Sequence, residues 1–138
     1  MTGLRLFILA GGVLAGTLAH PRSPGPRPLQ TAPRLSPAVQ HTSWRIFYPA
    51  IPDTITLRFA DDSSAIVSST GVPILQSTYK LKNDIITFHD YGGMNSCNDL
   101  TGSYHVKING DTLVLVMDED PCDARGGMLI LKPWIRSH

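Results

Sequence analysis

From Ser43 to the C-terminus, apolar residues recur at every second position, and no long stretch repeats them at helical spacing. Alternation with a period of two is the pattern of a strand with one face in a core and the other in water. Thr54-Ile55-Thr56-Leu57-Arg58-Phe59 shows it most cleanly. Asp61-Asp62-Ser63 interrupts it, Ala65 to Ser68 resumes it, and Thr70-Gly71 breaks it again. Ile74 to Leu81 and Ile85 to Phe88 flank Lys82-Asn83-Asp84, a tight-turn composition. Gly92-Gly93 reads as a loop, and Met128 to Ile135 reads as a closing strand that Pro133 makes an edge or an irregular end. The pattern predicts about eight short strands at roughly 8–12-residue spacing, hence an all-β sandwich or barrel. Asp123 to Met128 leaves room for one helical turn.

Asn109-Gly110, between Ser103–Ile108 and Asp111–Met117, is the strongest local signal. Such a pair favours a two-residue turn because its central positions need positive φ. With Asn109 and Gly110 both central, Ile108 faces Asp111, Val106 faces Leu113 and Tyr104 faces Leu115. Continued regularly, this register sets Cys97 opposite Cys122 on a non-hydrogen-bonded pair, where Cβ atoms approach within disulfide reach. Two cysteines with no competitor in an exported chain form one disulfide most simply, so the expectation is a staple at the open end of a long hairpin.

Export is read from the first residues. Arg5 precedes an apolar run from Leu6 to Leu18, and Thr17-Leu18-Ala19 offers small residues where signal peptidase reads. The run is shorter than the ~20 residues of a membrane span and holds glycines, so residues 1–19 are expected to be a cleaved signal peptide. No Cys stands near the cleavage point for lipid attachment, which leaves a secreted or periplasmic protein. Residues 20–42 carry Pro21, Pro24, Pro26, Pro28, Pro33 and Pro37 and read as a Pro-rich disordered linker. Residues 43–138 are the folded domain.

All 11 acidic residues lie from Asp53 onward, and five of the 12 basic ones precede it; from Trp44 onward eight basic residues face the 11 acidic ones, so the folded body is mildly acidic. Nucleic-acid binders need a basic face, so that class is not expected. No cofactor is expected. The acidic run Asp118 to Asp123 lacks the central Gly and terminal Glu of an EF-hand loop and reads as solvated. His20, which cleavage would make the N-terminus, has no second His fixed nearby to form a copper site. His89, His105 and Asp90 have the donor types of a two-His-one-carboxylate site, but structural roles suit their scattered spacing better, and no metal site is expected. No Gly-x-Ser-x-Gly occurs, and paired catalytic carboxylates cannot be located. Arg125 stands close before Leu129, Leu131 and Trp134, so it is expected either to stack on the Trp and cap a barrel end or to hold a ligand carboxylate.

One ordered series of residues has a family likeness. Tyr79 through Asp90 is followed by Cys97, then Gly102-Ser103-Tyr104, then Gly110 with Asp111 and Leu113, then Asp120, Cys122 and Arg125, and finally Trp134. This series resembles small secreted bacterial lipocalin-like proteins of the calycin group, over Trp44 to Arg136 and best from Tyr79. A weaker resemblance is to META/HslJ-like domains. The lipocalin Gly-x-Trp opening is absent, with Ser43-Trp44 in its place. The resemblance implies an antiparallel up-and-down barrel with an internal cavity but carries no known activity.

The expected function is therefore an exported, non-enzymatic small barrel binding a small apolar or amphipathic ligand. Tyr79, Phe88, Tyr104, Arg125 and Trp134 are the candidate lining. The alternative is a secreted protein-interaction or inhibitor module, and a more distant one is an isomerase or cyclase on a barrel scaffold. An empty interior would favour the first, and a filled interior with apolar residues outside the second. A perturbed His or carboxylate in a pocket would favour the third.

Overall fold

The structure is a computed structural model that describes Gly25 and residues 37–138. The expected signal peptide and most of the Pro-rich segment lie outside the described residues. Eight antiparallel strands close into an up-and-down barrel, each pairing with its neighbour in sequence and β8 returning to β1. They are β1 (Ser43–Tyr48), β2 (Asp53–Phe59), β3 (Ser63–Val67), β4 (Pro73–Lys82), β5 (Ile85–Gly92), β6 (Thr101–Asn109), β7 (Thr112–Glu119) and β8 (Trp134–Arg136). One helix, α1 (Asp123–Leu129), interrupts the sequence of strands between β7 and β8. Closure leaves a sheet without the row of unpaired backbone groups that an open edge would expose.

The alternation read from the sequence is the alternation of burial. Trp44 and Ile46 on β1, Ile55, Leu57 and Phe59 on β2, Ile86 and Phe88 on β5, and Tyr104 and Val106 on β6 all point inward and are buried. With Ile66, Ile74, Tyr79, Leu113, Met128 and Trp134 they form one continuous cluster. Phe59 meets Tyr79 edge-on at 5.2 Å, and Phe88 meets Tyr104 edge-on at 5.8 Å, the geometry that aromatic quadrupoles favour. Val39, in the segment read as linker, belongs to this cluster and is 1% exposed. Hydrogen bonds through Thr42 join it to the barrel: the Thr42 N–H donates to the Val39 carbonyl (3.2 Å), the Phe59 N–H to the Thr42 carbonyl (2.9 Å) and the Trp44 indole to the Thr42 hydroxyl (2.7 Å).

Three sequence expectations are corrected. First, the β6–β7 turn places Gly110 and Asp111 at its centre, so Asn109 pairs with Thr112, Ile108 with Leu113, Val106 with Leu115 and Tyr104 with Met117. Gly110 supplies the positive φ (58°) at the first central position, and the shift moves the charge of Asp111 out of the ladder into solvent. Second, the cysteines are not cross-strand partners: β6 begins at Thr101 and β7 ends at Glu119, so neither cysteine is in a strand. The disulfide itself forms, with its Cα atoms 5.9 Å apart. It joins the β5–β6 loop to Cys122, the residue capping the N-terminus of α1. Third, Met128 and Leu129 end the helix, and only Trp134–Arg136 is strand. The apolar run at 128–131 suits a strand locally, but burial of Met128 and Leu129 under the barrel end decides for the helix.

Candidate functional site

Period two places Asp90 on the inward face of β5, after Ile86 and Phe88. A carboxylate there is expelled or paired, because an isolated buried charge is too costly. Its partner comes from α1. Arg125 has a side chain with no solvent exposure, and its guanidinium Nη1 lies 2.7 Å from Asp90 Oδ1. The opposite edge of the same group makes a two-pronged contact with Asp120, Nε to Oδ2 and Nη2 to Oδ1, each at 2.7 Å. Arg125 Nη1 also donates to the Leu100 carbonyl at 3.2 Å. A planar five-donor fork is the side chain that satisfies two carboxylates and a carbonyl in this way.

Each carboxylate is saturated by further donors. Asp90 accepts from the Ser77 hydroxyl (2.7 Å) and from the Cys97 backbone N–H (3.0 Å). Asp120 accepts from the Cys122 backbone N–H (2.7 Å) and from the Tyr104 hydroxyl. The two disulfide-bonded residues therefore each donate a main-chain bond to one of the two carboxylates that hold Arg125. Gly102 makes room for the arrangement, since a Cβ there would stand 2.3 Å from Asp120 Oδ2 and 2.9 Å from Arg125 Nη2. No buried polar side-chain atom lacks a partner among the described residues.

The electrostatics follow from these contacts. Burial pushes the Asp120 carboxyl up, but hydrogen bonds from Arg125, Tyr104 and Cys122 outweigh it and hold the group below the usual carboxylate range. Burial raises the Tyr104 phenol, and its bond to Asp120 raises it further, so it remains a neutral donor. Burial alone would lower Arg125, but Asp120 and Asp90 more than reverse that and fix its charge. The cluster has no open valence and no group facing solvent with which to do chemistry. It acts as a latch that seals one end of the barrel and seats α1.

The five residues expected to line a ligand pocket divide between core and latch. Phe88 and Trp134 are buried in the cluster of apolar side chains, and the Trp134 indole donates to the Leu129 carbonyl at 3.0 Å. Tyr104 and Arg125 belong to the latch. Arg125 does cap the barrel end, but it gives its donors to carboxylates, and the stacked cation–aromatic pair is Arg136 over Trp44 at 4.3 Å. Tyr79 donates to the Ala60 carbonyl at 2.8 Å and borders a surface hollow of about 370 Å³ beside Pro37–Gln40. His89, His105 and Asp90 do not converge: His89 contacts Thr101, His105 contacts Asp84, and Asp90 is held by Arg125. The sequence reading missed Asp120 and Ser77 as partners of the latch, although the five-residue step from Asp120 to Arg125 was one available signal.

The outer surface offers a second kind of site. β8 pairs with β1 at two positions only, Trp44 with Arg136 and Arg45 with Ile135. Carried on, the register would set Ile46 against Trp134 and then Phe47 against Pro133, which has no N–H to donate, so the ladder stops. A groove of about 440 Å³ opens at this seam, lined by Arg45, Ile46, Phe47, Thr54, Lys132, Pro133 and Ile135. Phe47 is 50% and Ile135 48% exposed. Lys132 Nζ lies 5.7 Å from the centre of the Phe47 ring, at the edge of cation–aromatic attraction.

Compared with protein-family models, curated proteins and solved structures, the chain matches none.

Proposed function

We propose that this chain is an exported, non-catalytic interaction module whose binding surface is the outside of the barrel. The observation that carries this reading is the commitment of the interior. Phe88, Tyr104, Arg125 and Trp134 are each at most 1% exposed and engaged with one another's neighbours, while Phe47 and Ile135 stay half-exposed at the seam. Leaving large apolar side chains in water is unfavourable, and clusters of them are commonest where a partner covers them. The Cys97–Cys122 disulfide suits an oxidising compartment, and among the described residues no helix is long and apolar enough to cross a membrane. The interior small-ligand reading, with Tyr79, Phe88, Tyr104, Arg125 and Trp134 as its walls, has no comparable support from the packing. Native mass spectrometry of the full chain, recovered from an exporting host, separates the two. The expected spectrum shows protein with no stoichiometric small-molecule adduct. A small molecule bound one to one and released on unfolding would overturn the proposal.

A further inference from the structure

We infer that the β1–β8 seam is a docking groove for an extended acidic peptide segment of another protein. This rests on the interaction-module reading above and names its site and partner class. The groove combines two features that one ligand chemistry satisfies. Phe47 and Ile135 form apolar walls, and Arg45 and Lys132 place two cations in the lining with no acidic side chain among the lining residues. The folded body is otherwise acidic, with 11 Asp and Glu from Asp53 onward, so a cationic apolar groove departs from its surroundings. A segment carrying an aliphatic or aromatic side chain next to Asp or Glu would seat the first between Phe47 and Ile135 and the second against Arg45 and Lys132. Complementary charge of this kind selects partners and speeds encounter, while burial of the apolar side chain holds the complex.

Backbone geometry suits an extended occupant. Pairing along β1 ends at Arg45 on the β8 side, two steps before the register would reach Pro133 opposite Phe47, and Pro133 has no N–H to donate there. Phe47 pairs with Thr54 on β2 and with no residue of β8, the condition under which an extended segment can add along a sheet edge. Charge rules against the chain's own N-terminal region as occupant, since no Asp or Glu precedes Asp53.

The test is selection of a phage-displayed random decapeptide library on the full chain, with the groove read by backbone amide NMR shifts. The expected result is enrichment of peptides pairing Asp or Glu with an apolar residue. Their shifts should concentrate at Arg45, Phe47, Lys132 and Ile135, and affinity should fall at least tenfold in Arg45→Glu/Lys132→Glu. Ile135→Thr keeps a β-branched residue in the strand and guards against misfolding; it should weaken binding with an unchanged spectrum elsewhere. Enriched peptides lacking acidic residues, binding insensitive to the charge reversal, or no enrichment at all would overturn the inference. So would a self-associated dimer that Ile135→Thr dissociates, because the occupant would then be a second copy. Peptides whose shifts map to another outer face would overturn the seam and leave the interaction module standing; a stoichiometric interior small molecule would remove both.

Discussion

At the scale of single residues, Arg125 is the side chain on which the barrel end depends. It pairs with two carboxylates whose side chains have no solvent exposure, and removing it strands both. Arg125→Met keeps the length and apolar stem, so its effect isolates the charge. Urea unfolding should show a loss of about 3–5 kcal/mol, the cost of breaking a buried ion pair from one side. Asp120 gives the latch a pH dependence of defined sign. The folded state prefers its ionised form, so this contribution is complete above the unfolded-chain value of about 4 and is lost as pH falls through the lower folded value. Thermal melts from pH 6 downward should fall more steeply in the parent than in Asp120→Asn, which begins less stable and lacks this titration. Equal acid slopes would remove Asp120 from the account. The inward parity of Asp90 was legible in the sequence, as was the presence of an arginine near the chain's end. That these two meet was not legible, because 35 residues separate them and the contact exists only once β5 and α1 share a barrel end.

At the scale of elements, the β6–β7 hairpin and α1 show how a local signal is redirected. Asn109-Gly110 did mark the turn, but only Gly110 among the two is at a positive φ. Gly110→Ala should therefore cost about 1 kcal/mol or more, since a Cβ disfavours that conformation, whereas Asn109→Ala should cost a few tenths. The opposite order would restore the register in which Asn109 is central. α1 has seven residues with Gly126 and Gly127 at its middle, a poor helix by its own propensity. It persists because Met128 and Leu129 are buried, Arg125 is latched and Cys122 is bonded to Cys97. The disulfide and the ion pairs thus hold the same element. Removing the disulfide by Cys97→Ser/Cys122→Ser should cost about 2–4 kcal/mol. Combined with Arg125→Met, the total should fall short of the sum by about 1 kcal/mol or more, because either change alone releases the helix. Additive losses would mean that the staple and the latch act separately.

At the scale of the whole molecule, the barrel is unevenly fastened. β4 and β5 share seven register pairs, and β8 meets each of its neighbours through two. Local opening follows such differences, so native-state hydrogen exchange should be slowest in β4–β6 and fastest among the strands in β8. Slow exchange at Ile135 matching that of Phe88 would show the seam closed as firmly as the rest, and would weaken the case for a partner there.

The sequence by itself determined the class of fold, the approximate strands, which residues face inward and that the two cysteines pair. It could do so because period-two patterning and turn chemistry act over a few residues, and because two thiols leave one pairing. The tertiary structure alone decided the hairpin's slide, the loss of Met128 and Leu129 from the closing strand to the helix, the destination of the disulfide and the joining of Asp90, Asp120, Tyr104 and Arg125. It also left the seam at Phe47 partly open. Those outcomes depend on which distant groups compete for the same buried space, and closing a barrel sets the distances that local patterning leaves free.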